Sequence, residues 1–141
     1  MALERAASRA LEAGPDVAGR IAWLHADFTE WVPVAASYNL VSAQFLHLPG
    51  DQRELIYRRI AESVTPGGVL LVVGHHPSDL HTNVRRPRVP DLLFTASEVG
   101  ASLSPEDWIV LVDEARPRQT LDPDGQAATV HDAVLKAQRA N

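Results

Sequence analysis

Polar side chains end an apolar segment in the first third of the chain. The segment YNLVSAQ, residues 38–44, begins as a buried type of strand and then presents Ser42 and Gln44, and His47 follows it. In an open parallel sheet, ligands bind in the crevice beyond the carboxyl ends of the strands. Hydroxyl, amide and imidazole groups here therefore indicate a ligand-binding position. The alternatives are that Ser42 and Gln44 satisfy backbone groups at the strand end and that His47 only packs.

Two adjacent histidines follow a second apolar run. The run VLLVVG, residues 69–74, leads directly into His75 and His76. Neighbouring side chains in an extended chain point in opposite directions, so we do not expect these two to share a metal ion. We expect them to contact a substrate, because their loop lies over the same crevice. The arginine-rich stretch RRPR, residues 85–88, either recognises an acidic substrate or forms a solvated loop.

Length and composition set the class of protein. The 141 residues, 45% hydrophobic and 22% charged, suit one soluble domain spanning residues 1–141. The absence of cysteine excludes disulfides, thiolate metal sites and cysteine nucleophiles. A net charge of −5 gives no basic surface for nucleic acid. No apolar run has the length of a membrane helix and no signal-peptide pattern is present, so we expect a cytoplasmic protein.

The elements that must position these residues alternate between helices and strands. Apolar periodicity predicts helices over 1–13, 49–64 and 95–103, and strands over 20–27, 38–44, 69–74, 107–118 and 128–139, with a turn at 121–126. This order predicts an α/β fold with a mostly parallel sheet and a C-terminal antiparallel hairpin.

Helix ends carry their own signals. Asp51 with Glu54 and Thr95 with Glu98 have the spacing of capping boxes at the starts of the second and third helices. The Pro-Gly-Gly stretch at 66–68 is typical of a helix end, because glycine adopts the left-handed cap conformation without strain.

Several of these stretches, in this order, resemble a known family. HADFTEWVP, YNLVSAQFLHLP, VTPGGVLLVVGHHP and the closing WIVLVDEARPR and TVHDAVLKAQR are similar to the later part of class I S-adenosylmethionine-dependent methyltransferases. The bacterial small-molecule and tellurite-resistance-like branch is nearest. The resemblance covers nearly the whole chain and implies a partial Rossmann-like sheet. It also implies methyl transfer from S-adenosylmethionine to a small-molecule acceptor, whose identity the sequence does not indicate.

The resemblance assigns two residues to the adenine of the cofactor. It places Asp27 where the family's acidic residue receives the adenine amino group, with Phe28 beside the ring. A carboxylate accepts hydrogen bonds from an exocyclic amine, so the residue types suit this task. The alternative for Asp27 is that it caps a turn.

The resemblance assigns four further residues to the cofactor side. Ser42, Ala43 and Gln44 match the positions that line the methionine portion, and His47 matches a position near the cofactor or substrate. No catalytic residue follows, because methyl transfer needs little beyond in-line positioning of the reactants.

The sequence also departs from the family. Asn39 stands where many relatives have aspartate, and no glycine-rich loop of the G-x-G-x-x-G type is present. The family's first two strands are missing, so we expect a domain truncated at its N-terminus and incomplete or inactive by itself. The predicted strand 20–27 would then pair with 38–44, pair in trans within a dimer, or belong to a fragment of a longer protein.

Two other interpretations stay open. The chain is alternatively a non-catalytic methyltransferase-like domain that acts by dimerisation or protein interaction through an exposed sheet edge, and whether it is an enzyme is undecided. A flavodoxin-like domain is the third interpretation, but it leaves the terminal hairpin and the Pro-Gly-Gly strand unexplained.

Overall fold

A computed structural model describes residues 2–87 and 89–141 of the chain. The chain divides into two compact units, of which the first ends at Trp31 and the second is Val32–Asn141. Because the chain divides in this way, the interpretation of residues 1–141 as one domain stays a prediction. In the described part of the chain, no helix is long and apolar enough to span a membrane.

The first unit contains two helices, α1 (Ala2–Glu12) and α2 (Pro15–Ala18). The predicted first helix is confirmed within the described residues. Gly14, with φ of 119°, separates the helices, and Pro15 starts α2. A φ in that range is strained for any residue with a side chain, which explains the break at glycine.

The predicted strand at Arg20–Asp27 is wrong. Residues 21–27 have no regular secondary structure, and they do not pair with 38–44 as one interpretation required. The alternation of apolar residues resembled a strand, but Trp23 and Leu24 are exposed. A strand needs a neighbour for its backbone hydrogen bonds, and hydrophobic patterning alone does not supply one.

The second unit is built on a four-stranded sheet. Its strands are β1 (Tyr38–Gln44), β2 (Val64–His75), β3 (Trp108–Leu121) and β4 (Ala127–Arg139), in the spatial order β1-β2-β4-β3. β1 and β2 are parallel, whereas β4 is antiparallel to both β2 and β3. The predicted partial Rossmann-like α/β sheet with a C-terminal antiparallel hairpin is confirmed. The sheet is not mostly parallel as expected, since one of its three pairings is parallel and the two that involve β4 are antiparallel.

Helices α3 (Gly50–Glu62) and α4 (Ala96–Gly100) accompany this sheet. The side chains of Leu70 and Val72 on β2 are fully buried. Tyr57 of α3 lies edge-on to Phe94, with 5.9 Å between ring centroids. A β-carbon built on Gly74 would overlap the Phe94 ring, so the absence of a side chain at Gly74 gives this aromatic pair its room against β2.

One of the two predicted capping boxes is confirmed. Thr95 accepts a hydrogen bond from the Glu98 N–H at 3.2 Å, and the Glu98 carboxylate accepts one from the Thr95 N–H at 2.7 Å. The other is wrong, because α3 begins at Gly50 rather than after Asp51. The Gly50 N–H donates instead to the Asp91 carboxylate at 2.8 Å, a partner distant in sequence.

The Pro-Gly-Gly stretch belongs to a strand rather than to a helix end. α3 ends at Glu62 with Ser63 as its cap, and residues 66–68 lie within β2. Gly67 does adopt a left-handed conformation, with φ of 73°, at the irregular start of the β1–β2 pairing. The turn at 121–126 is as predicted, with Asp122 accepting the N–H groups of Asp124 and Gln126.

Replacing Gly74 with alanine tests the packing of Phe94 on β2. We expect Gly74→Ala to lower the free energy of unfolding by about 1–3 kcal/mol, because the added methyl group overpacks the core. Urea denaturation measures the loss. Gly100→Ala is the matched control, since its β-carbon would lie an ordinary 3.4 Å from Leu135. Equal stability of the two variants would contradict this account.

Candidate active site at the carboxyl ends of β1 and β2

The parallel pair places the ends of β1 and β2 at one edge of the sheet. Gln44 lies opposite Val73 in the register, and His75 follows two residues later on the same face as Val73. Ser42 and Gln44 share that face, because alternate residues of a strand point the same way. The structure therefore brings together Ser42, Gln44 and His75 at one edge.

Ser42 and Gln44 are exposed and bonded to each other. The Gln44 amide Nε2 donates to the Ser42 hydroxyl at 3.1 Å. Ala43 lies between them, half-buried and on the opposite face of β1. Sequence reasoning grouped all three residues, but the pleat of the strand gives only Ser42 and Gln44 a common surface. The cofactor role of the three stays a prediction.

Phe45, His47 and His75 form a cluster of contacting rings, called here the ring cluster. The His75 ring lies 4.9 Å from the Phe45 ring and 5.1 Å from the His47 ring, centroid to centroid. The planes of the two imidazoles differ by only 26°. The sequence indicated His47 and His75 separately, whereas Phe45 was not predicted as a site residue.

Phe45 reaches this position through an unusual backbone conformation. Its φ is 53°, in the left-handed region that a bulky residue rarely adopts. The Phe45 N–H donates to the Val73 carbonyl at 2.8 Å, which continues the β1–β2 ladder across this residue. No sequence signal marks this conformation, since glycine or asparagine is the usual residue there.

Burial and nearby cations act together on His75. Burial lowers the pKa of His75 below its usual 6.5, and electrostatic interactions with Arg86 and His47 lower it further. Asp132 and Asp79 oppose this shift. The imidazole is therefore unprotonated at neutral pH. Its Nδ1 atom is buried without a hydrogen-bond partner among the described residues.

His76 has a structural role in the geometry. Its Nδ1 lies 2.9 Å from the Ser78 hydroxyl and accepts from the Ser78 N–H at 3.2 Å, capping the 3-10 helix Pro77–His81. This local bond explains why a histidine precedes the proline. The substrate-contacting role of His76 stays a prediction. In the described ranges there is no group of three or more side chains arranged to hold a metal ion.

A buried ion pair fixes the segment that follows His75. Asp79 is almost fully buried, and its carboxylate accepts from the Arg86 Nε at 2.9 Å and from the His131 N–H of β4 at 2.8 Å. The segment is therefore anchored to the sheet next to His75. The sequence did not predict this ion pair, because an Asp and an Arg seven residues apart in a loop carry no distinctive signal. Arg88 of the RRPR stretch lies outside the described residues.

Asp132 of β4 lies opposite His75 in the antiparallel register. Arg118 holds its carboxylate with two hydrogen bonds, at 2.8 and 3.1 Å. These bonds lower the pKa of Asp132 below its usual 3.8. The carboxylate therefore stays ionised beside the imidazole at neutral pH.

Asp27 and Phe28 belong to the first unit. The Asp27 Oδ1 atom accepts from the Thr29 N–H at 2.8 Å and from the Thr29 hydroxyl at 2.7 Å, which lowers the pKa of Asp27. Phe28 packs edge-on to Trp31, with 6.1 Å between centroids. The turn-capping alternative for Asp27 is thus present in the structure. The adenine roles of both residues stay predictions.

The fold is that of S-adenosylmethionine-dependent methyltransferases. A methyltransferase from Mesorhizobium loti superposes with a TM-score of 0.58 at 18% identity, covering 94% of this chain and 74% of that one. TehB from Haemophilus influenzae gives 0.55 at 18% identity, covering 77% of this chain and 37% of that one. The [4+2]-cyclase SpnF superposes with a TM-score of 0.62 at 13% identity, covering 96% of this chain and 61% of that one.

These similarities confirm the class I methyltransferase resemblance at the level of the fold. The chain spans 52% and 65% of two further similar structures, so it corresponds to part of such proteins. No protein-family model matches the sequence, and no curated protein matches it. The cyclase demonstrates that one fold hosts several chemistries, so activity must be argued from the site.

Because the Asp79–Arg86 ion pair is buried, we expect a small change in one of its side chains to lower stability strongly. We expect Asp79→Asn to lower the free energy of unfolding by about 3–5 kcal/mol, because it leaves the buried Arg86 guanidinium uncompensated. Chemical denaturation measures this loss. Glu114→Gln, in the half-exposed pair Glu114–Arg116, is the control and should cost less than about 1 kcal/mol. A similar small loss in both variants would disprove the anchoring role.

Proposed function

We propose that the chain acts in S-adenosylmethionine-dependent methyl transfer to a small-molecule acceptor. The observation that carries this proposal is the grouping of Ser42, Gln44 and His75 at the carboxyl end of the one parallel strand pair. In open α/β sheets this is where ligands bind. The methyltransferase fold supports the same conclusion, and the net charge of −5 argues against a nucleic-acid substrate.

The side chains present suit part of the cofactor. Ser42 and Gln44 are exposed and offer a hydroxyl and an amide, which together donate and accept hydrogen bonds. They would hold the methionine portion of the cofactor. The adenine roles that the resemblance gives to Asp27 and Phe28 stay a separate prediction. The bound cofactor supplies an electrophilic methyl group. The residues of this chain bind and orient the reactants, and such positioning is the main catalytic requirement.

Calorimetric titration with S-adenosylhomocysteine tests this proposal. We expect saturable binding that becomes about tenfold weaker in Asp27→Ala and in Gln44→Ala, since each loses a hydrogen bond to the ligand. Asp51→Ala is the matched control, because Asp51 is also exposed and also accepts a local backbone N–H. Absence of heat at millimolar ligand, or equal weakening by Asp51→Ala, would overturn the proposal.

One observation favours a second function, which is self-association through β1. This strand lies at the edge of the sheet and contains no charged residue and no proline. Leu40, its third residue, is 60% exposed. Edge strands of soluble proteins normally carry charges, prolines or bulges that prevent pairing with another chain. We propose that a second copy of the chain pairs with this edge if the cofactor does not bind.

Analytical ultracentrifugation tests self-association. A dimer paired through β1 should dissociate in Leu40→Lys, because a lysine on an edge strand opposes pairing. Leu121→Lys is the control, since Leu121 is similarly exposed at the end of β3. A monomeric wild-type chain, or a dimer that tolerates Leu40→Lys, would exclude this function.

A further inference from the structure

The ring cluster exposes aromatic side chains at the edge of the sheet. Phe45 is 38% exposed and His47 is exposed; His47 stacks on the half-buried His75, and Phe45 contacts it at a tilt of 42°. Aromatic rings favour other planar groups, which stack with offset or edge-on geometry. The strained backbone of Phe45 keeps its ring at this edge rather than in the core. A planar ligand therefore fits this surface better than an aliphatic one.

His75 can meet a ligand through one ring nitrogen only. Its Nδ1 is buried while the ring as a whole is only half-buried, which leaves Nε2 as the nitrogen for a ligand. An unprotonated imidazole has one nitrogen that accepts a proton and one that carries it. His75 can thus accept a hydrogen bond at Nε2 from a ligand hydroxyl that lies against the ring cluster.

The surrounding charges decide which nucleophile suits this imidazole. Arg86 places a positive charge near His75, while Asp79 is bound to Arg86 and Asp132 to Arg118. Both carboxylates are therefore already paired with arginines, and a cationic amine finds no free partner in this set. A weakly basic imidazole deprotonates an acidic hydroxyl more readily than an aliphatic alcohol.

We propose that the acceptor is a planar, phenol-class compound that stacks on Phe45 and gives its hydroxyl proton to His75. In this step the O–H bond breaks, its electron pair stays on the phenolic oxygen and the proton bonds to the His75 Nε2. The histidine later releases that proton to water. The proposal rests on the proposed methyltransferase function, and it adds the class of acceptor and a catalytic residue.

Phenol itself is the probe, and the experiment needs no cofactor. Phenol ionises near pH 10, as tyrosine does, so between about pH 5 and 8 only protein groups titrate. Nuclear magnetic resonance follows the His75 ring protons during titration with phenol. The His75→Gln spectrum identifies these signals among the six histidines. Cyclohexanol, which has a hydroxyl but no planar ring, and benzylamine, which has a planar ring but a positive charge, are the comparison ligands. Both should bind more weakly than phenol.

The expected result has a defined pH dependence. Phenol should bind at neutral pH and lose affinity about tenfold as the pH falls below the usual histidine value of 6.5, because protonated His75 cannot accept its hydrogen bond. His75→Gln should bind about tenfold more weakly at neutral pH and show no such dependence. Phe45→Leu should weaken phenol but not cyclohexanol. His81→Gln, an exposed histidine outside the ring cluster, should behave as wild type.

Three results would overturn the inference: no binding of phenol, equal binding of cyclohexanol, or unchanged binding in His75→Gln. Circular dichroism of each variant shows that it is folded. Since S-adenosylhomocysteine binding is measured separately, the two proposals fail independently. A chain that binds the homocysteine ligand but not phenol would keep the methyltransferase function and lose the phenol-class acceptor.

Discussion

The burial of β2 is the constraint on which the rest of the second unit depends. This strand pairs on both sides, parallel to β1 and antiparallel to β4, and it has fully buried side chains at Leu70 and Val72. Burying an aliphatic side chain is worth roughly 1.5–3 kcal/mol, so a shift of register would be costly. The fixed register determines where His75 emerges from the sheet. Every feature of the candidate site is positioned relative to that residue.

Two local devices complete the site around His75. The left-handed conformation of Phe45 turns the chain after β1, and its ring contacts the His75 imidazole. The buried pair of Asp79 and Arg86 anchors the segment after β2 to β4. Both devices cost free energy, one as backbone strain and the other as desolvation of charge. Such costs are common at functional sites, which agrees with the role proposed for this edge of the sheet.

The open edge of β1 relates the two proposed functions to one another. The same strand that carries Ser42 and Gln44 also exposes an unpaired, uncharged backbone edge. The proposed cofactor binding uses the side chains of this strand, and the proposed self-association uses its backbone edge. A second copy paired there would satisfy the N–H and C=O groups of that edge.

Local patterns determined most of the elements of this protein. The helix near the N-terminus, the strand 38–44, the Thr95–Glu98 capping box and the C-terminal hairpin follow from spacing that acts over a few residues. The prediction of a strand over 20–27 was wrong because strand formation depends on a partner elsewhere in the chain. The predicted cap of α3 was wrong for a similar reason, since the Gly50 N–H is satisfied by Asp91, 41 residues away.

The residues of the site divide in the same way. Ser42, Gln44, His47 and His75 were accessible to sequence reasoning, because polar groups at the ends of apolar runs are a local signal. Phe45, the Asp79–Arg86 pair and the pairing of Asp132 with Arg118 were decided only by tertiary structure. Their roles come from contacts between separate elements, and such contacts leave no pattern of residue spacing along the chain.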